Sequence, residues 1–187
     1  LAYIGPLLGY KCVFEAISDS RLKSFLQTIA AEEIIPTIEA PKGLDLHEYA
    51  AQIVRRFENP QICHLLEQIA CDGTIKIPVR TLQPILDNLI AGRNNNNKLY
   101  CVVAVWLLFL VNKVETGQSI QDPKSAQLQE IICNFTGDIV KDVKAFMTAE
   151  GLLPDSVRSN SEIIHKVTEA YKIILQHRTD IRAALPM

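Results

Sequence analysis

Lys76 and Arg80 stand four residues apart on either side of Pro78, and Asp72-Gly73 turns the chain just before them. A proline in that place favours the first turn of a helix, so the spacing predicts two cations around a helix N-terminus. The macrodipole is positive there and disfavours them. An anionic or polar ligand, met also by free backbone N–H groups, would offset that conflict. The other reading is that Lys76 pairs with Asp72 or extends into solvent. Upstream, Asn59-Pro60 opens a segment with Ile62, Leu65, Leu66, Ile69 and Ala70 at helical spacing. On a helix over residues 61–71, His64, Gln68 and Asp72 fall four apart and form a polar edge beside the apolar stripe. That edge is either an ordinary solvated flank or the wall of a site shared with Lys76.

Other chemistry is thin. No Ser/His/Asp or Cys/His arrangement can be built from these spacings, so no catalytic residue is assigned. Cys63, His64 and Cys71 lack the paired, four-ligand spacing of structural zinc, and no metal site is expected. Glu32 and Glu33 are adjacent, point in different directions and cannot act as a carboxylate pair. Arg55 or Arg56 is expected to pair with Glu58 or Glu32.

Helices must position these groups. Asp19 or Ser20 can cap a stretch with Leu22, Phe25, Leu26 and Ile29 on one face, closing before Pro36. Asp45, with Glu48 three residues on, can cap a helix carrying Tyr49, Ala50, Ile53 and Phe57. Pro78 leads Leu82, Ile85, Leu86, Leu89 and Ile90 to a stop at Gly92, and residues 94–97 read as a polar turn. Residues 99–111 form a thirteen-residue apolar run; a bilayer needs about twenty, so this is a core helix around Trp106. Asp122-Pro123 begins another helix. The last is amphipathic, with Ile163, Ile164, Val167, Ala170, Tyr171, Ile174 and Leu175 on one side. No segment alternates as a strand does and no fixed-period repeat occurs, so the expected class is all-α.

With 187 residues, 48% of them hydrophobic, the chain can bury one core, and residues 1–187 are expected to form one domain. The net charge of −2 and dispersed basic residues give no footprint for nucleic acid or a membrane surface. Five cysteines without CxxC spacing read as reduced thiols and favour a cytoplasmic location. GxGxxG and GxxxxGK[ST] are both absent, so no nucleotide-binding residue is assigned. The abrupt start at Leu1-Ala-Tyr-Ile-Gly reads as the C-terminal portion of something longer.

Several pieces occur in a distinctive order: Leu1-Ala-Tyr-Ile-Gly5 with Gly9-Tyr10, Glu15-Ala16 and Asp19; Glu32-Glu33 with Pro36-Thr37; Arg56-Phe57-x-Asn59-Pro60; Ile69-Ala70-x-Asp72-Gly73-Thr74-x-Lys76-x-Pro78; and Asp122-Pro123. Together they resemble the C-terminal domain of the long-chain mannitol dehydrogenase family over nearly the whole chain. The resemblance implies a multi-helix substrate domain of a two-domain polyol or uronate dehydrogenase. Its N-terminal Rossmann domain, absent from this chain, would be the partner that mainly binds NAD or NADP. The family's catalytic Lys-x4-Asn-x2-His signature would lie upstream of Leu1, so the fragment alone is expected to be inactive. Lys76 matches a substrate-contacting lysine of the family. His64, Gln68 and Arg80 match the family's uronate reductases, although Thr74-Ile75 stands where those usually have Ser-Gln. The implied substrates are a sugar acid pair, D-fructuronate and D-mannonate, with a neutral polyol as the alternative. A helical interaction module without chemistry of its own is the reading from another class.

Overall fold

The computed structural model describes residues 1–186. Its helices are α1 (Ile4–Leu7), α2 (Val13–Ser18), α3 (Ser20–Ile29), α4 (Leu46–Phe57), α5 (Leu66–Ile69), α6 (Gly73–Ile77), α7 (Gln83–Ile90), α8 (Asn97–Glu115), α9 (Ser125–Cys133), α10 (Ile139–Thr148), α11 (Asp155–Arg158) and α12 (Ser161–Gln176). A π turn, Ala30–Ile34, extends α3, and a second, Pro78–Leu82, joins α6 to α7 without a break. Among the described residues the one extended pairing is an isolated antiparallel bridge, Cys12 with Leu65. The all-α expectation holds.

The apolar run forms the spine. In α8, Leu99 to Cys101 and every position from Val103 to Val111 are buried, each large aliphatic or aromatic side chain contributing about 1.5–3 kcal/mol. α12 lies along α8 through its predicted stripe, with Ile163, Val167, Tyr171 and Ile174 buried. α10 packs on α12 and sends Phe146 edge-on to Trp106, with ring centroids 5.2 Å apart. Local caps do what the sequence suggests. Asp19 accepts from the N–H groups of Arg21 and Leu22, Asp45 from His47 and Glu48, and Asn160 from Glu162 and Ile163; each is worth about 1 kcal/mol.

α8 starts inside the protein, where its first N–H groups have no water to bind. The π turn after α3 brings the fully buried Glu33 to them. Its Oε1 accepts from the N–H of Lys98 at 2.9 Å and its Oε2 from Leu99 at 2.8 Å. The neighbouring Glu32 takes the Lys98 ammonium at 2.7 Å, a side chain only 4% exposed. The two adjacent glutamates thus serve one helix end after all, one through backbone and one through side chain. Residues 94–97 are more than a polar turn. Asn96 is buried and accepts from Asn88 Nδ2 at 2.7 Å, while the same Nδ2 reaches the Glu33 carbonyl at 2.8 Å.

Two ion pairs differ from expectation: Arg55 binds Glu48 at 2.6 Å, and Glu58 binds Lys23 at 2.5 Å. α4 itself is lightly held. Only its Val54 is buried, and an apolar cleft of about 410 Å³ separates its Ile53 and Phe57 from Leu26, Ala30 and Ile34.

Burial holds the Glu33 carboxyl above the ordinary glutamate value of 4.5, against the bonds from Lys98 and Leu99. The native state therefore keeps this proton to higher pH than the unfolded chain does. Glu33's contribution is then largest below pH 4.5 and falls as pH rises through the native value. Urea unfolding of wild type and Glu33→Gln from about pH 4.5 to 7 should show the wild-type advantage shrinking with rising pH. A constant difference would contradict this placement.

Candidate functional site

The structure revises the frame around the predicted residues. Asn59-Pro60 opens no helix: the Asn59 side chain accepts from the Gln61 N–H at 3.0 Å and makes a turn. The backbone at residues 64–66 then pairs with the start of the chain, Val13 N–H donating to the His64 carbonyl at 2.9 Å and Leu66 N–H to that of Lys11 at 3.0 Å. Those groups are no longer available for helical bonds, so α5 is confined to one turn. His64 lies on the extended segment, off the helix that carries Gln68, and the expected polar edge of His64, Gln68 and Asp72 does not form. Both side chains are exposed. Leu65 and Ile69, expected in the core, are 42% and 37% exposed, whereas Leu66 and Ala70 are buried.

Pro78 begins no helix either. The helix starts at Gly73, and Pro78 sits inside it as the first residue of the π turn. A proline in an α-helix lacks its N–H and clashes with the carbonyl four residues back; the wider π turn accommodates both effects. Lys76 is therefore the fourth residue of α6, and Arg80 follows one wide turn later on the same continuous helix.

The N-terminus of that helix is already served from within the chain. Asp72 adopts the left-handed conformation (φ 58°, ψ 38°) and reverses the chain between α5 and α6 without capping through its side chain. Asp122 supplies the anion instead: it accepts from Thr74 N–H at 2.8 Å and Thr74 Oγ1 at 2.5 Å. The Gln121 carbonyl accepts from Asp72 N–H at 2.9 Å. Asp122 was expected to cap the following helix; its bond to Lys124 N–H at 2.9 Å is kept, but α9 begins only at Ser125. Gly73 is required here because an added Cβ would lie 2.5 Å from Trp106 Nε1.

Lys76 meets the reversal from the other side. Its ammonium donates to the Cys71 carbonyl at 2.7 Å and to that of Ile69 at 3.2 Å. Asp72 Oδ2, at 3.9 Å, is a charge contact beyond hydrogen-bond distance. An ammonium has three N–H donors; two are used, and the side chain stays 26% exposed. Arg80 is exposed and makes no hydrogen bond or ion pair with the described residues. It borders a cavity of about 330 Å³ whose walls include Leu1, Tyr3, Phe25, Ile69 and Thr81. His64, Gln68 and Lys76 do not border that cavity, and what Arg80 and Lys76 share is the helix. Burial, with the Asp122 carboxylate nearby, pushes the Tyr3 hydroxyl up to about 12, and Arg80 acts against this shift. Tyr3 thus lies near both Arg80 and Asp122, a neighbour that helical periodicity could not reveal. Thr74 and Gln121 were equally hidden, since nothing local links position 74 to position 122.

The all-helical fold is the one the resemblance implies, and the chain belongs to the mannitol dehydrogenase C-terminal domain family, whose model matches residues 1–175. D-Mannonate oxidoreductase of Escherichia coli is 32% identical over 174 residues, 92% of this chain and 35% of that protein. Mannitol 2-dehydrogenase of Aspergillus fumigatus is 26% identical over 188 residues, 100% of this chain and 36% of that protein. The solved ternary complex of Pseudomonas fluorescens mannitol 2-dehydrogenase with NAD and D-mannitol shares the fold, with TM-score 0.84 over 99% of this chain and 37% of that one at 24% identity. Substrate-free D-sorbitol dehydrogenase gives TM-score 0.74 at 27% identity, over 100% of this chain and 37% of that one. The chain spans about a third of the length of these relatives.

Gly73→Ala should destabilise the protein by about 1–3 kcal/mol, because the indole it would strike is itself packed. Trp106 is the chain's single tryptophan, so its fluorescence during urea unfolding reads the effect directly. Stability equal to wild type would mean that the close approach is absent.

Proposed function

We propose that this chain is the substrate domain of a two-domain NAD(P)-dependent oxidoreductase that interconverts a keto-uronate and an aldonate, D-fructuronate and D-mannonate. Lys76 and Arg80 receive the carboxylate, and Gln68 and His64 flank the substrate end. The carrying observation is the Lys76 ammonium, held by two backbone carbonyls with one donor unused, on the same helix as an unpartnered Arg80. A partly exposed and an exposed cation of that kind suit an anionic oxygen, to which charge-assisted hydrogen bonds are the strong ones. A neutral polyol offers them no charge. The likeness to D-mannonate oxidoreductase supports the same choice.

Hydride chemistry belongs to the nicotinamide when it is bound. No residue of this chain fits its pyrophosphate: the GxGxxG turn is absent and the described residues form no strand to lead into one. The cofactor is therefore assigned to an N-terminal Rossmann-type domain outside this chain, and residues 1–187 act as one helical domain that binds and orients substrate. Five free cysteines suit a reducing cytoplasm.

A polyol dehydrogenase is the second reading, favoured by the likeness to mannitol 2-dehydrogenases. Arg80→Ala in the full-length enzyme separates the two. Losing a charged hydrogen bond of about 1.5–3 kcal/mol should raise KM for fructuronate roughly tenfold to a hundredfold. For fructose the rise should stay below about threefold. Equal effects on both substrates would favour the polyol reading.

A further inference from the structure

We infer that Asp122 and Thr74 are positioning residues for Lys76, setting where its ammonium stands through the chain reversal between α5 and α6. The inference rests on the proposed role of Lys76 in binding substrate.

Lys76 Nζ is fixed between two parts of the chain. Its Cα belongs to α6, whereas its acceptors, the carbonyls of Ile69 and Cys71, lie before the reversal. Any change in the path of residues 70–73 therefore moves the ammonium relative to the helix that also bears Arg80. The reversal is poorly secured by local chemistry: Asp72 is left-handed without being glycine, and its side chain leaves the first N–H groups of α6 without a cap. The fastening comes from two consecutive residues, Gln121 and Asp122. They take Asp72 N–H, Thr74 N–H and Thr74 Oγ1, three donors spanning the turn. Asp122 is in turn steadied by Lys124 N–H. The Asp122 carboxylate also stands near the Tyr3 hydroxyl. One carboxylate thus sets the geometry behind Lys76 while having no substrate contact assigned to it.

Thr74→Val tests this most gently, because it deletes the hydroxyl bond, keeps the backbone bond and preserves shape. In the full-length enzyme, KM for fructuronate should rise about fivefold or more, with a smaller change in kcat. Thr74→Ser, which keeps the hydroxyl, should return KM to within about twofold of wild type. In a Lys76→Met background, Thr74→Val should add less than about twofold, since the group it positions is gone. Asp122→Asn should repeat the pattern of Thr74→Val. A KM within twofold of wild type for Thr74→Val, whatever its melting temperature, or a full additive effect on top of Lys76→Met, would overturn the positioning role while a raised KM in Lys76→Met leaves the binding role standing. An unchanged KM in Lys76→Met itself would sink the binding role and the positioning role with it.

Discussion

A long apolar helix that starts inside the protein must find acceptors for its first N–H groups, and the fold is organised around that demand. α8 supplies the largest single share of the core, so its buried end cannot turn to water. Glu33 meets the requirement with both carboxylate oxygens. Burying a carboxylate is costly, and the two bonds and the positive end of the helix offset only part of the cost. The π turn Ala30–Ile34 is what delivers Glu33 to this place while Glu32 remains free to bind Lys98. Asn88 and Asn96 then tie α7 and the start of α8 to the same backbone. Moving any of these elements would strand a buried polar group.

The same logic, at a smaller scale, builds the candidate site. A second helix begins at Gly73 with its donors unserved, and a distant carboxylate serves them. The analogy is close: in each case a residue remote in sequence caps a helix, and a π turn lies within the same continuous helix as the partner or the capped end. The difference lies in exposure. At the start of α8 the groups Glu33, Asn88, Asn96 and Lys98 are buried, whereas beyond Asp72 the chain leaves Lys76 partly exposed and Arg80 open. Ile75 and Val79, exposed on the same helix, continue that surface.

What the sequence reveals follows from which interactions are local. The apolar run of α8, the stripe of α12 and the caps at Asp19 and Asp45 are all decided within a few residues, and all are found as expected. The segment after Asn59-Pro60 has equally good helical spacing, yet its backbone is claimed by Lys11 and Val13. Pro78 obeys the rule for a first-turn proline until a π turn makes room for it inside a helix. Lys76 and Arg80 were visible as two cations around one helix start. The cause assigned to them, an undressed helix N-terminus, was not right, because Asp122 dresses it. Charge placement and the resemblance to a known family both pointed to Lys76 as a ligand; the carbonyls that hold it could not be read from spacing.

Distance along the chain gives the Asp122 clamp a further meaning. Forty-eight residues, α7 and α8 among them, separate it from Thr74, and closing so long a loop is entropically unfavourable until other contacts have drawn its ends together. Segments α5 to α7 alone would contain Gln68, Lys76 and Arg80 yet lack the acceptors that shape them. The surface that carries these candidate ligands therefore depends on α8 being in place, and a polypeptide cut before Gln121 would keep them without their arrangement.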